Sequence, residues 1–239
     1  MCATNSKLLT LKYVPLAWVA VLLTSLTTKL LMILGIDLCT LATILNLSTA
    51  WLPSLIIYSS YQLVVVLLLI HLLRKMGTSL RDIGFKSTRK RYYVFATILV
   101  LASSVLWGFC DYIVSLFGLP MWWSKEPGTM IKTLSDLLVL SICPVFLCGP
   151  LEEILYRGYL FTATLQRVRR VWIAFTINAF VFASIHYAFG PGVMLFILLW
   201  TYIPCWLYYK SGSIYPSILF HSLNNLLAYV MLPLLFTPT

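Results

Sequence analysis

The chain has 239 residues, of which 61% are hydrophobic and 10% charged, with a mean hydropathy of +0.93. Soluble domains carry about a quarter charged residues, so the composition excludes an ordinary globular protein and indicates an all-α, polytopic membrane bundle. Seventeen Lys and Arg against seven Asp and Glu give a net charge of +10. Most of these cations sit in short loops between apolar runs, which marks them as topology signals and excludes a nucleic-acid surface.

A spanning helix needs about 20 mostly apolar residues. Seven segments qualify: 14–36, 51–73, 92–116, 134–166, 171–188, 192–209 and 214–236. The first is too long for a signal-peptide core of roughly 7–15 residues and reads as a retained span. Segment 37–49 is apolar but short, and reads as re-entrant, interfacial or an eighth span. The fourth segment is interrupted by Pro144 and by "GP" at 149–150, so a kink or split is expected there.

Orientation follows from the loops. "RKMGTSLRDIGFKSTRKR" at 74–91 holds seven cations against one Asp, and "RVRR" at 167–170 is the other strong cluster. Seven alternating spans put both on one side with Lys7, Lys12 and Lys210, which predicts a cytoplasmic N-terminus in a cell membrane. Loop 74–91 is expected to be solvated and to bind nothing. "MWWSKEP" at 121–127 reads as an interfacial aromatic anchor. Six scattered cysteines form no CxxC and no Cys/His cluster, so neither a disulfide framework nor a thiolate metal site is indicated.

Intramembrane polar groups concentrate in the second half of the chain. This divides it into flanking helices (1–130) and a working core (131–239). An ionisable residue at mid-membrane costs a few kcal/mol or more and marks a functional site by default. Four places stand out: Glu152 and Glu153 with Arg157, then His186, then His221, then Asn224 and Asn225. Glu153 and Arg157 stand four residues apart in the order that favours a helical ion pair. Glu152, about 100° around the helix, is the surplus carboxylate. A buried network serving only helix packing is the plain alternative, and the surplus glutamate weighs against it. His221 and Asn225 share a helix face. Counted from the basic loops at 1.5 Å per residue, Glu152, His186, His221 and Asn225 all lie roughly 16–24 Å deep.

The constellation offers no obvious serine or cysteine nucleophile, and no phosphate-cradling glycine loop is present. A carboxylate and an imidazole can activate water as general base, and a His and an Asn on another helix can donate to a developing oxyanion. Those parts describe amide hydrolysis. A zinc site on Glu152, His186 and His221 is the competing reading, although no HExxH helix is present. No other cofactor is indicated.

"EEILYRG", "FASIH" and "HSLNN" match, in order, the EExxxR, FxxxH and HxxxN motifs. The chain thus resembles the CAAX-protease and bacteriocin-processing family of intramembrane endopeptidases, which includes the type II CAAX prenyl endopeptidases. "LRDIGFK" at 80–86 is similar to a further segment of that family. The resemblance spans 131–239. It implies that Glu152 is the catalytic glutamate and works with His186 on the attacking water. By the same resemblance His221 and Asn225 form the oxyanion hole, Glu153 and Arg157 support it, and no metal is needed. The implied substrate is a peptide or lipidated protein in contact with membrane lipid. A non-catalytic immunity or scaffold protein and a proton-coupled transporter are the rival readings. The absence of an internal repeat weighs against the transporter.

Overall fold

The computed structural model describes residues 8–122 and 131–236, and every regular element among them is helical. Among the described residues six helices are long and apolar enough to cross a bilayer. They are α1 (Leu16–Ile33), α3 (Leu52–Lys75), α4 (Arg91–Leu116), α5 (Leu134–Val168), α7 (Pro191–Ser211) and α8 (Tyr215–Leu235). Between them lie the shorter α2 (Leu38–Ile44) and α6 (Val171–Ser184). The protein is an integral, multi-pass helical membrane protein, as expected.

The expected span at 171–188 is realised as α6, whose 14 residues rise only about 21 Å. It ends at Ser184 because a turn follows, then Gly190 at φ +131° and Pro191 opening α7. Segment 37–49 forms α2, whose seven residues are too few to cross. Its first turn is closed by the Asp37 carboxylate, which accepts the Thr40 N–H at 2.6 Å. Of the expected aromatic anchor at 121–127, residues 123–127 lie outside the described residues. Trp122 lies between Trp107, tilted at 5.5 Å, and Phe189, edge-on at 6.0 Å.

α4 shows how an outer helix is built for lipid. Val94, Ile98, Leu101, Val105, Phe109, Tyr112 and Leu116 recur every three or four residues and are all exposed, while Ala96, Val100, Ser103, Cys110 and Val114 are buried. The exposed apolar stripe would be a liability in water and is the solvated face in a bilayer. α5 is the opposite case. Every residue from Leu151 to Phe161 is buried, so this helix runs through the centre with neighbours all round. It packs against α3, α6 and α8.

α1 is sewn to that centre by polar atoms. The Tyr156 hydroxyl donates to the Ala17 carbonyl at 2.7 Å, and Trp18 Nε1 donates to Ser184 Oγ at 2.8 Å. The basic loop is solvated at all seven cations but folded in its middle, which corrects the expectation of a wholly solvent-borne segment. Leu80–Ile83 makes one 3₁₀ turn, closed by a Ser79–Asp82 capping box. Gly84, at φ +96°, lets its carbonyl accept the Ile214 N–H at 2.8 Å. A Cβ on Gly158 of α5 would stand 2.9 Å from the Ile83 carbonyl, so glycine permits this loop to lie directly on the central helix.

Candidate active site

Two prolines shape the helix that carries the glutamates. Pro150 has no N–H to give to the preceding turn, and α5 responds by widening into i→i+5 turns instead of breaking. Ile142–Cys148 and Glu153–Phe161 are both wide, with one ordinary turn, Gly149–Glu152, between them. Wide turns leave carbonyls out of register, and side chains from other helices collect them. From α8, Asn225 Nδ2 donates to the Pro144 carbonyl and Ser222 Oγ to the Val145 carbonyl, both at 2.8 Å. From α6, Asn178 Nδ2 donates to the Tyr156 carbonyl at 2.6 Å, and Asn178 Oδ1 accepts from Cys205 Sγ at 3.3 Å. The Asn178 amide therefore holds the shape of α5, in keeping with its omission from the expected site.

The two glutamates meet different surroundings. Glu153 and Arg157 are both 0% exposed, with Arg157 Nη1 2.9 Å from Glu153 Oε1. The same oxygen lies 2.8 Å from His221 Nδ1. The guanidinium is 4.5 Å over the Phe182 ring and 5.5 Å over the Trp200 ring. Charge and aromatic faces hold it, since its nitrogens make no well-aligned hydrogen bond. Such cation–π contacts are worth about 2 kcal/mol or more when desolvated, which helps to keep a sealed cation in a membrane protein.

Glu152 sits at the edge of this cluster with 5% exposure. Its Oε1 accepts the Tyr58 hydroxyl at 2.7 Å, and its Oε2 lies 3.7 Å from His221 Nε2. A carboxylate can only accept, so the contact with Glu153 places the His221 proton on Nδ1 and turns Nε2 toward Glu152. At 3.7 Å the two atoms are beyond direct hydrogen bonding but within reach of one small donor between them. His221 stands edge-on to Trp200 at 4.8 Å, which fixes the ring plane.

His186 lies half-buried on the turn after α6, not on the helix itself. Its Nδ1 donates to the Phe182 carbonyl at 2.9 Å, leaving Nε2 as the free acceptor. Phe182 is the shared wall: its ring centre is 4.9 Å from His186 and 6.1 Å from His221. Thus Glu152, Glu153, Arg157 and His221 come together by direct polar contact. His186 approaches them across one aromatic ring, and Asn225 through the backbone of α5. Asn224, one residue away, accepts from Ser103 Oγ at 2.6 Å and ties α8 to α4. Among the described residues no three His, Cys, Asp or Glu side chains form a group that could hold a metal ion, the trio Glu152, His186 and His221 included.

Sequence reasoning missed Tyr58, Trp200 and Ser222. The only signal for the first was the polar run Tyr58-Ser59-Ser60-Tyr61-Gln62 inside an otherwise aliphatic span.

The multi-pass helical bundle thus gathers two carboxylates, a guanidinium and an imidazole at its buried centre. Residues 134–227 match the family described as type II CAAX prenyl endopeptidase Rce1-like. Over that segment the chain is similar to the Rce1-like type II CAAX prenyl endopeptidases, a group within the CAAX-protease and bacteriocin-processing family that its motifs resemble. All the candidate residues, from Glu152 to Asn225, lie within the match. No curated protein and no solved structure matches the chain.

Proposed function

We propose that this protein is an endopeptidase of the glutamate type, hydrolysing a peptide bond of a membrane-associated or lipidated substrate with water activated at Glu152. The observation that carries this reading is the facing pair of acceptors, Glu152 Oε2 and His221 Nε2, 3.7 Å apart. A water can donate one O–H to each. On attack, its oxygen bonds to the scissile carbonyl carbon and its proton passes to the Glu152 carboxylate. The tetrahedral intermediate then expels the amine, which takes that proton from Glu152.

Glu153 and Arg157 act on His221. The carboxylate fixes the imidazole tautomer and the guanidinium balances the carboxylate, an orienting role familiar from acid–imidazole pairs elsewhere. This differs from the roles implied by the resemblance, where His186 is the partner of Glu152. His221 is the ring within reach of Glu152, while His186, with its free Nε2 across Phe182, is left to face the substrate carbonyl or the leaving group. Asn225 commits one N–H to Pro144, and its second N–H is the amide donor left for the oxyanion. The reading needs side chains alone and no metal. The substrate class follows the family: a C-terminal CAAX-type peptide carrying a lipid, with peptide maturation as the wider class. The basic loops support a reading in which the N-terminus is cytoplasmic and the membrane is a cell membrane.

Glu152→Gln tests the proposal. Cleavage of an internally quenched farnesylated CAAX peptide by purified protein in nanodiscs is expected to fall about 10²–10⁴-fold, with the thermal midpoint retained. Where another peptide is the substrate, it accumulates in cells carrying Glu152→Gln and not in wild type. Full cleavage by the variant would overturn the assignment, as would identical peptide profiles.

A further inference from the structure

We propose that Tyr58 is a positioning residue for Glu152, supplied by a helix outside the family-matched segment. The inference rests on the reading of Glu152 as the working carboxylate and adds a residue to it. Tyr58 lies on α3, 94 residues before Glu152 in the chain, and its hydroxyl donates to Oε1 at 2.7 Å. A carboxylate has two equivalent oxygens and can rotate about its last bond. Glu152 needs one oxygen turned toward His221, and the Tyr58 hydrogen bond occupies the other.

Three further observations make this arrangement specific. α3 is locked at the level of the site by the next residue, Ser59, whose Oγ lies 3.2 Å from Cys148 Sγ, one turn before Glu152. Ser59 is 1% exposed and also donates to the Leu55 carbonyl at 2.7 Å, so its own position is fixed. Glu153, the neighbouring carboxylate, spends its Oε1 on Arg157 and His221 and has no tyrosine partner. The phenol thus distinguishes the two adjacent glutamates. Tyr58 holds the Glu152 carboxylate in one rotamer, with Oε1 engaged and Oε2 free to receive a proton. Because Tyr58 touches neither substrate nor water in this scheme, it acts through Glu152.

The test uses full-length protein in nanodiscs. Tyr58→Phe removes the hydroxyl and keeps the ring. It is expected to lower kcat on the farnesylated CAAX peptide about 10- to 100-fold, the scale of one lost hydrogen bond to a charged group, with KM and the thermal midpoint unchanged. p-Aminophenylalanine at position 58 restores an N–H donor at the same place and is expected to recover most of the rate. A purely structural tyrosine would instead lower the midpoint and show no such rescue. An isotope-edited infrared difference between wild type and Glu152→Gln, with ring-labelled tyrosine, should contain a phenol C–O band that vanishes in the Tyr58→Phe background. This arm needs no substrate. Wild-type kcat in Tyr58→Phe, failure of the rescue or absence of that band would overturn the inference. Loss of activity in Glu152→Gln alongside normal activity in Tyr58→Phe removes only this inference. Full activity in Glu152→Gln removes the reading beneath it. If the farnesylated peptide is not cleaved by wild type, the kinetic arm is run on the peptide that accumulates in Glu152→Gln cells.

Discussion

Adjacent residues of α5 bring negative charge into the membrane and are handled in opposite ways. On the Glu153 side the carboxylate, the guanidinium and two aromatic faces close on one another, and nothing is left exposed. On the Glu152 side the partners are a phenol from α3 and an imidazole edge at 3.7 Å, and a little exposure remains. The difference teaches that a membrane protein can bury a charge completely once it is balanced. The carboxylate we propose to react is instead held by partners that constrain it without cancelling it.

That contrast can be broken at either side. The largest expected effect on stability is Arg157→Leu, which strands Glu153 without a counter-charge and should cost about 3–5 kcal/mol. Thermal unfolding in detergent and the yield of folded protein measure it. Glu152→Gln, one residue from Glu153, should scarcely move the same midpoint while removing activity. If both variants destabilise equally, the division between a sealed side and a working side fails. Next comes Asn178→Ala, which leaves the Tyr156 carbonyl without its donor and should cost about 1 kcal/mol. The loss should be read in the thermal midpoint and in faster amide exchange along 153–161.

The smallest expected effect uses a carboxylate that has water for a neighbour. Asp37 accepts the Thr40 N–H, and this hydrogen bond holds its carboxyl below the usual carboxylate range. A depressed folded-state value means that the cap contributes fully above the ordinary carboxylate pKa of about 3.9 and is lost as pH falls through the lower, folded value. Amide exchange at Thr40 should therefore show more opening at low pH than expected from the intrinsic rate, and Asp37→Ala should abolish the pH dependence.

Much of the site was legible because it is local. The four-residue step from Glu153 to Arg157 foretold an ion pair, and it forms at 2.9 Å. The helix positions of Glu152, His221 and Asn225 followed from apolar length and basic loop ends, as did most of the spans. What could not be read is rotational. An angle of 100° per residue holds for an ordinary helix, but Pro144 lies in one wide stretch of α5 and Pro150 in the ordinary turn between the two, and each wide turn resets which face the following residues occupy. Whether Glu152 would meet His186 or His221 depended on that reset and on α6 ending at Ser184. Tyr58 was invisible for another reason: which phenol on a distant helix reaches a carboxylate is set by packing of α3, not by any pattern around residue 58.

The wide turns of α5 also bear on how the protein is made. Three of their carbonyls accept from the side chains of Asn178, Ser222 and Asn225, all synthesised after α5 itself. During insertion this helix therefore enters the bilayer before those side-chain donors exist, and the arrival of α6 and α8 completes its contacts. A chain truncated between Val168 and Tyr215 should hold α5 poorly, making α8 a checkpoint for assembly as well as a wall of the site.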